Sequence, residues 1–160
     1  MASWKEIEAA APELAARARA SFDAHRHKLL ATLRRDGSPR ISGIEATFAD
    51  GELWLGMMPG SRKALDLCRD PRLALHSASL DPPDDPTTWG GDAKLSGRAV
   101  EVDDPVLKER FAGGGGQAEA AHLFRVDVDE LVHTRVGDPA DHLVIEVWQP
   151  GRGVRRLQRR

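Results

Sequence analysis

The sequence predicts a mainly β fold, an antiparallel barrel of six to seven strands with a few flanking helices. Three observations carry this reading. KLLATLRR (28–35), RISGIEATFA (40–49) and ELWLGMM (52–58) are consecutive stretches that alternate with period two. DGSP and DG, the turn signals expected of hairpins, separate them. Helical patterns elsewhere are short, and a chain of 160 residues is the size of one ordinary domain. The expected layout is a helical lead-in over 1–27, a barrel over 28–149 and a basic C-terminal tail over 150–160.

In the lead-in, Ser3 and Glu6 have capping-box spacing. Ile7, Leu14, Ala18 and Phe22 fall near one helical face, and Pro12 divides the segment into two helices. In the second strand Ile44, Ala46 and Phe48 share a face. In the third, Leu53, Leu55 and Met57 oppose Trp54, Gly56 and Met58. A helix runs from Ser61 to about Arg69 and stops at Asp70-Pro71; LALHSA follows as a fourth strand. LDPPDDPTTWGGD is a loop, and AKLSGRAVEV a strand with Gly97 as its bulge. DDPVLKERF is a short helix capped by Asp103 or Asp104, and AGGGG a flexible break. HLFRVDV, ELVHTRV and HLVIEVWQ supply the remaining strands before the tail PGRGVRRLQRR.

Composition excludes several classes. A net charge of −2 argues against general nucleic-acid affinity, so any phosphate recognition is local. The arginine-rich tail lacks interleaved aromatics and reads as a solvated end. The single cysteine, Cys68, rules out an internal disulfide and reads as a small buried hydrophobe. No run approaches a membrane span, and the first residues lack the apolar core of a signal peptide. A cytoplasmic location is expected. His25 and His27 have no Cys or third His at ligand spacing, so no metal site is expected.

One segment is electrostatically odd. Ser61 is a suitable N-cap, but the first helical positions are Arg62 and Lys63, where the helix dipole favours acids. A bound phosphate would reverse that sign. Before it, LGMMPG offers Gly56, Met57 and Met58, a soft apolar surface suited to a flat ring.

The order of these segments resembles the pyridoxamine 5'-phosphate oxidase-like flavoproteins, which have the FMN-binding split β-barrel fold. The resemblance covers roughly Lys28 to the C-terminus. It is strongest over ATLRRDGSPRIS, GSRKALDLCRDPRLAL and DAKLSGRAVEV. It implies that Ser61, Arg62 and Lys63 hold the FMN phosphate, and that Arg40, Ile41 and Ser42 line the flavin and phosphate. Gly56 and Met57 would lie beneath the ring. Asp92 would stand at its polar edge with Lys94 on the same strand face. Trp148 would pack near it, with Arg155 or Arg156 as polar contacts. Two departures, Glu45 for a common Lys and Asp92 for a common Gln, add negative charge and leave the substrate open.

The resemblance implies an FMN-dependent oxidoreductase that moves a hydride to or from a small molecule, with two subunits of a homodimer completing each site. Lys94 is the candidate for stabilising negative charge on the reduced ring, and no general base is evident. A deazaflavin coenzyme is the alternative on the same fold; its users often carry Lys-x-Arg here, whereas Lys63 is followed by Leu65. A non-catalytic flavin- or haem-binding protein is the second alternative. His76 faces away from Leu73 and Leu75, either as a satisfied structural histidine or towards a cleft or interface, and Trp89 either anchors its long loop or caps a ligand.

Overall fold

The computed structural model describes residues 1–112 and 119–160. Most of the AGGGG break lies outside the described residues. Eight strands form one antiparallel sheet: β1 (His27–Leu33), β2 (Pro39–Ala49), β3 (Glu52–Met57), β4 (Arg72–His76), β5 (Asp92–Glu101), β6 (His122–Val136), β7 (Leu143–Gln149) and β8 (Gly153–Arg159). The order β3-β2-β1-β4-β5-β6 closes on itself because β3 also pairs with β6, and β7 and β8 extend the sheet beyond β6. Closure leaves those six strands without a free edge.

Two helices precede the barrel, as the lead-in pattern predicts. α1 (Trp4–Ala10) starts at a complete capping box of Ser3 and Glu6, and α2 (Pro12–Asp23) starts at Pro12. Their apolar face is buried: Ile7, Ala18 and Phe22 have no exposed surface and Leu14 has 2 %. Trp4 meets Phe48 edge-on at 4.5 Å and Phe22 lies 5.5 Å from the same ring. The helices therefore share one core with Leu30, Ile44, Leu53, Leu55, Leu75 and Leu95 from the strands. Fully burying such a side chain is worth about 1.5–3 kcal/mol.

Two short helices complete the fold. α3 (Arg62–Arg69) follows β3 and α4 (Pro105–Phe111) follows β5. Asp104 caps α4 by accepting from the Leu107 N–H. α4 lies against β3 and stacks Phe111 on Trp54 at 5.1 Å. That contact buries Trp54 to 6 % although it sits on the outer face of its strand.

The structure departs from the sequence reading in the last third. HLFRVDV and ELVHTRV are one strand of 15 residues, β6. Its register against β5 shifts between Ser96 and Gly97, the bulge expected at Gly97. A Cβ on Gly97 would lie 2.2 Å from the Asp127 carbonyl oxygen. The basic tail is also ordered: Gly153–Arg159 forms β8 along β7, with every residue exposed. Its run of arginines suits an open sheet edge, which charge protects from further pairing. Among the described residues no helix is long and apolar enough to cross a membrane.

Candidate functional site

α3 starts as the sequence predicts and is electrostatically unfinished. Ser61 has the extended backbone of an N-cap, but its side chain accepts no capping hydrogen bond. Its Oγ is buried with no partner among the described residues. The first turn carries no acid. The helix thus presents free N–H groups, a spare hydroxyl and cations at its positive end. This donor set fits a phosphate dianion.

Strand and helix geometry sort the predicted residues onto separate surfaces. A polar cleft of about 500 Å³ on one flank of α3 is lined by Ser61, Lys63, Met57, Gly43, Glu45 and Phe111, among others. Lys63 Nζ donates to the Gly43 carbonyl at 2.7 Å, and burial pushes its ammonium below the ordinary lysine range. A desolvated ammonium gains most from an anionic partner. Glu45 enters the same cleft and is balanced there by Arg26, whose Nε lies 3.0 Å from it.

Arg62 faces the other flank. There Arg34, Arg35, Arg40, Arg62 and Arg69 surround a second cleft of about 720 Å³ together with Asp66. Asp66, 3 % exposed, organises it. Arg40 Nε donates to its Oδ2 at 2.6 Å, Arg69 to its Oδ1 at 3.0 Å and Thr32 Oγ1 to Oδ2 at 3.0 Å. Burial alone would raise this carboxyl; the hydrogen bonds from Arg40, Arg69 and Thr32 outweigh it and hold the group below the ordinary range.

The period of two divides the β2 residues in the same way. Ile41 points outward and is 72 % exposed, whereas Arg40 and Ser42 take the opposite face. Ile41 and Lys94 line a third surface, an apolar groove of about 400 Å³ with Leu29, Ala31, Leu75 and His76. Lys94 stands opposite His76 in the β4–β5 ladder, and Asp92 Oδ2 lies 3.9 Å from His76 Nε2. Trp89 is half-buried beside a single 3-10 turn, Pro86–Thr88.

Four predicted positions have surroundings that differ from the expectation. Trp148 is 3 % exposed and packs in the central core. Arg155 and Arg156 stand on β8 opposite Val147 and Glu146, outside all three of these surfaces. Gly56 borders the polar cleft, but a Cβ there would lie 2.3 Å from the Phe111 carbonyl oxygen. Its missing side chain makes room for α4 rather than for a ring. Cys68 is likewise exposed, not buried.

The closed barrel and the α3 site together define the relationship. The Pyridoxamine 5'-phosphate oxidase family model matches residues 14–135. The chain belongs to the pyridoxamine 5'-phosphate oxidase family. No curated protein gives a significant match. Solved structures share the fold. PhzG from Burkholderia lata 383, in complex with tetrahydrophenazine-1-carboxylic acid, has a TM-score of 0.67 at 13% identity, over 98% of this chain and 93% of that one. A putative pyridoxamine 5'-phosphate oxidase from Listeria innocua has a TM-score of 0.55 at 15% identity, over 72% and 93%. An F420 reductase has a TM-score of 0.52 at 18% identity, over 70% and 94%. This family includes oxidoreductases, and its members typically bind flavin or deazaflavin.

The sequence reading missed one grouping. Cys68, Glu101 and His122 converge with their ligating atoms within 4.8 Å of one another. They lie far apart in the chain and share no local spacing, so only the β5–β6 register and the end of α3 bring them together.

Proposed function

We propose that the protein is a cytoplasmic FMN-dependent oxidoreductase that exchanges a hydride with a small molecule and works as a homodimer. The observation that carries this reading is the start of α3: a buried Ser61 hydroxyl with no partner among the described residues, a desolvated Lys63 and no acid in the first turn. When bound, FMN supplies the two-electron chemistry. Ser61, Lys63 and the first N–H groups of α3 hold its phosphate, and Arg62 adds charge from the opposite flank. Ile41 and Gly43 share the outer face of β2, so the apolar groove continues from the polar cleft along one strand. Lys94, at the groove, supplies the positive charge that stabilises a reduced, anionic ring. Exposed Ile41 and Leu29, at 72% and 47%, are the surface that a second subunit covers.

A deazaflavin coenzyme is the second reading. The arginine-rich cleft favours it, because five guanidiniums against Asp66 and Asp36 would accept negative charge beyond one phosphate.

Titrating the purified protein with FMN and with the deazaflavin coenzyme, followed by absorbance and native mass, tests both. One FMN per subunit on a dimer supports the first reading. Selective uptake of the deazaflavin replaces it with the second, and uptake of neither overturns both. Sedimentation that finds a monomer retaining FMN overturns the shared site alone.

A further inference from the structure

We propose that Cys68, Glu101 and His122 form a binding site for a divalent transition-metal ion of the zinc class, with a fourth position open to solvent. The three side chains come from three elements. Cys68 is in the last turn of α3, Glu101 ends β5 and His122 begins β6. Cys68 Sγ lies 3.5 Å from Glu101 Oε2 and 4.0 Å from His122 Nδ1, and His122 Nδ1 lies 2.8 Å from Glu101 Oε1. Tetrahedral zinc, with bonds of about 2.3 Å to sulfur and about 2.0–2.1 Å to nitrogen or oxygen, separates its ligands by roughly 3.6 and 3.3 Å. With one Glu101 oxygen as ligand, the three ligating atoms lie within 4.8 Å of one another, so side-chain adjustments bring them to those spacings.

Two of the three ligands are held in advance. The β5–β6 ladder places Glu101 opposite Phe124, and the Val102 N–H donates to the Leu123 carbonyl at 2.8 Å. The His122 ring stacks on Phe124 with 9° between planes. The Cys68 thiol donates to the carboxylate that also pairs with His122, so all three groups converge on one point. A cation at the centre turns all three groups into ligands. Thiolate, imidazole and carboxylate together suit Zn²⁺ or Co²⁺ rather than Mg²⁺ or Ca²⁺.

Binding displaces the thiol proton to solvent and moves the imidazole proton from Nδ1 to Nε2. Nε2 now faces the Gly60 N–H at 3.4 Å, and that contact is lost when Nε2 becomes a donor. Gly60 lies in the turn that leads into α3, so the metal acts on the start of that helix. Metal affinity accordingly rises with pH.

The test is a Co²⁺ titration of reduced, tag-free protein under an inert atmosphere. One equivalent is expected to produce a thiolate-to-cobalt charge-transfer band and strong visible bands of tetrahedral cobalt, both displaced by Zn²⁺. Cys68→Ser abolishes the charge-transfer band, and Glu101→Gln and His122→Asn each weaken binding at least about tenfold, since a lost ligand costs no less than a lost outer-shell partner. A band absent at one equivalent overturns the site. So does a midpoint unchanged by both Glu101→Gln and His122→Asn, which is an adventitious ion on an exposed thiol. A readout on the unaltered chain uses Cys68 as its sole cysteine. Zn²⁺ at one equivalent slows alkylation of Cys68 at least tenfold; an unchanged rate overturns the proposal without reliance on any variant.

Discussion

The Arg62 flank of α3 carries more positive charge than the Lys63 flank, and the two put it to different use. On the Arg62 flank, Arg40 and Arg69 are bound to the buried Asp66 carboxylate, so much of the positive charge is spent inside the protein. On the Lys63 flank the ammonium meets only a backbone carbonyl among the described residues, and the neighbouring Ser61 hydroxyl has no partner. Net charge along a segment is therefore a poor guide to where an anion binds. What matters is which cations lack an internal counter-charge and have already lost water.

The largest expected effect comes from the satisfied flank. Asp66→Asn removes the charge that three donors share and leaves Arg40 facing a neutral amide. Breaking a buried pair in this way costs about 3–5 kcal/mol, with the lower end expected because Arg40 and Arg69 are partly exposed. Urea unfolding measures it, and a loss below about 1 kcal/mol would mean that the Asp66 network does not organise this flank. The same carboxylate sets an acid limb. Its folded pKa lies below the ordinary 3.8, so its contribution is complete above that value and disappears as pH falls through the folded pKa. Asp66→Asn should flatten this part of the stability–pH curve, and an unchanged slope would place the acid sensitivity elsewhere.

The open flank should respond in binding rather than in folding. Lys63→Ala is expected to weaken FMN by about 1.5–3 kcal/mol, the worth of a hydrogen bond to a charged group, with little change in the unfolding midpoint. Arg62→Ala should weaken FMN less, since Arg62 lines the other cleft. Equilibrium fluorescence titration ranks the two. A larger effect at Arg62 would reverse the assignment of the flanks.

Much of this contrast was legible before the structure. The capping box, the break at Pro12, the hairpins around DG, the Gly97 bulge and the odd cations after Ser61 are all local patterns, and local patterns are what a sequence displays. The split of Arg62 from Lys63 was also implicit in helical geometry, because successive residues point about 100° apart. What stayed hidden depends on partners distant in the chain. Asp66 carries no local sign of its partners Thr32 and Arg40, which lie 34 and 26 positions away. Gly56 reads as room for a ligand until Phe111 fills it. β6 reads as two strands because Asp127, Asp129 and Glu130 interrupt its apolar pattern at the bulge. β8 lacks a buried face altogether, so alternation gives no sign of it.

The smallest effect makes the sharpest test of the comparison. An N-cap serine usually stabilises its helix through its side chain, and its replacement by alanine costs about 1 kcal/mol. Ser61 makes no such bond and buries an oxygen that has no partner among the described residues. Ser61→Ala should therefore cost well under that amount, and removal of an unsatisfied buried hydroxyl works in the opposite direction. In the proposed FMN site the hydroxyl would donate to a phosphate oxygen, so the variant should bind FMN severalfold more weakly. Thermal unfolding with and without FMN separates the two contributions: the variant matches the parent when free and falls behind it when loaded. A full capping loss in the free protein would show that Ser61 serves the helix, and the open flank would then have one group fewer to offer an anion.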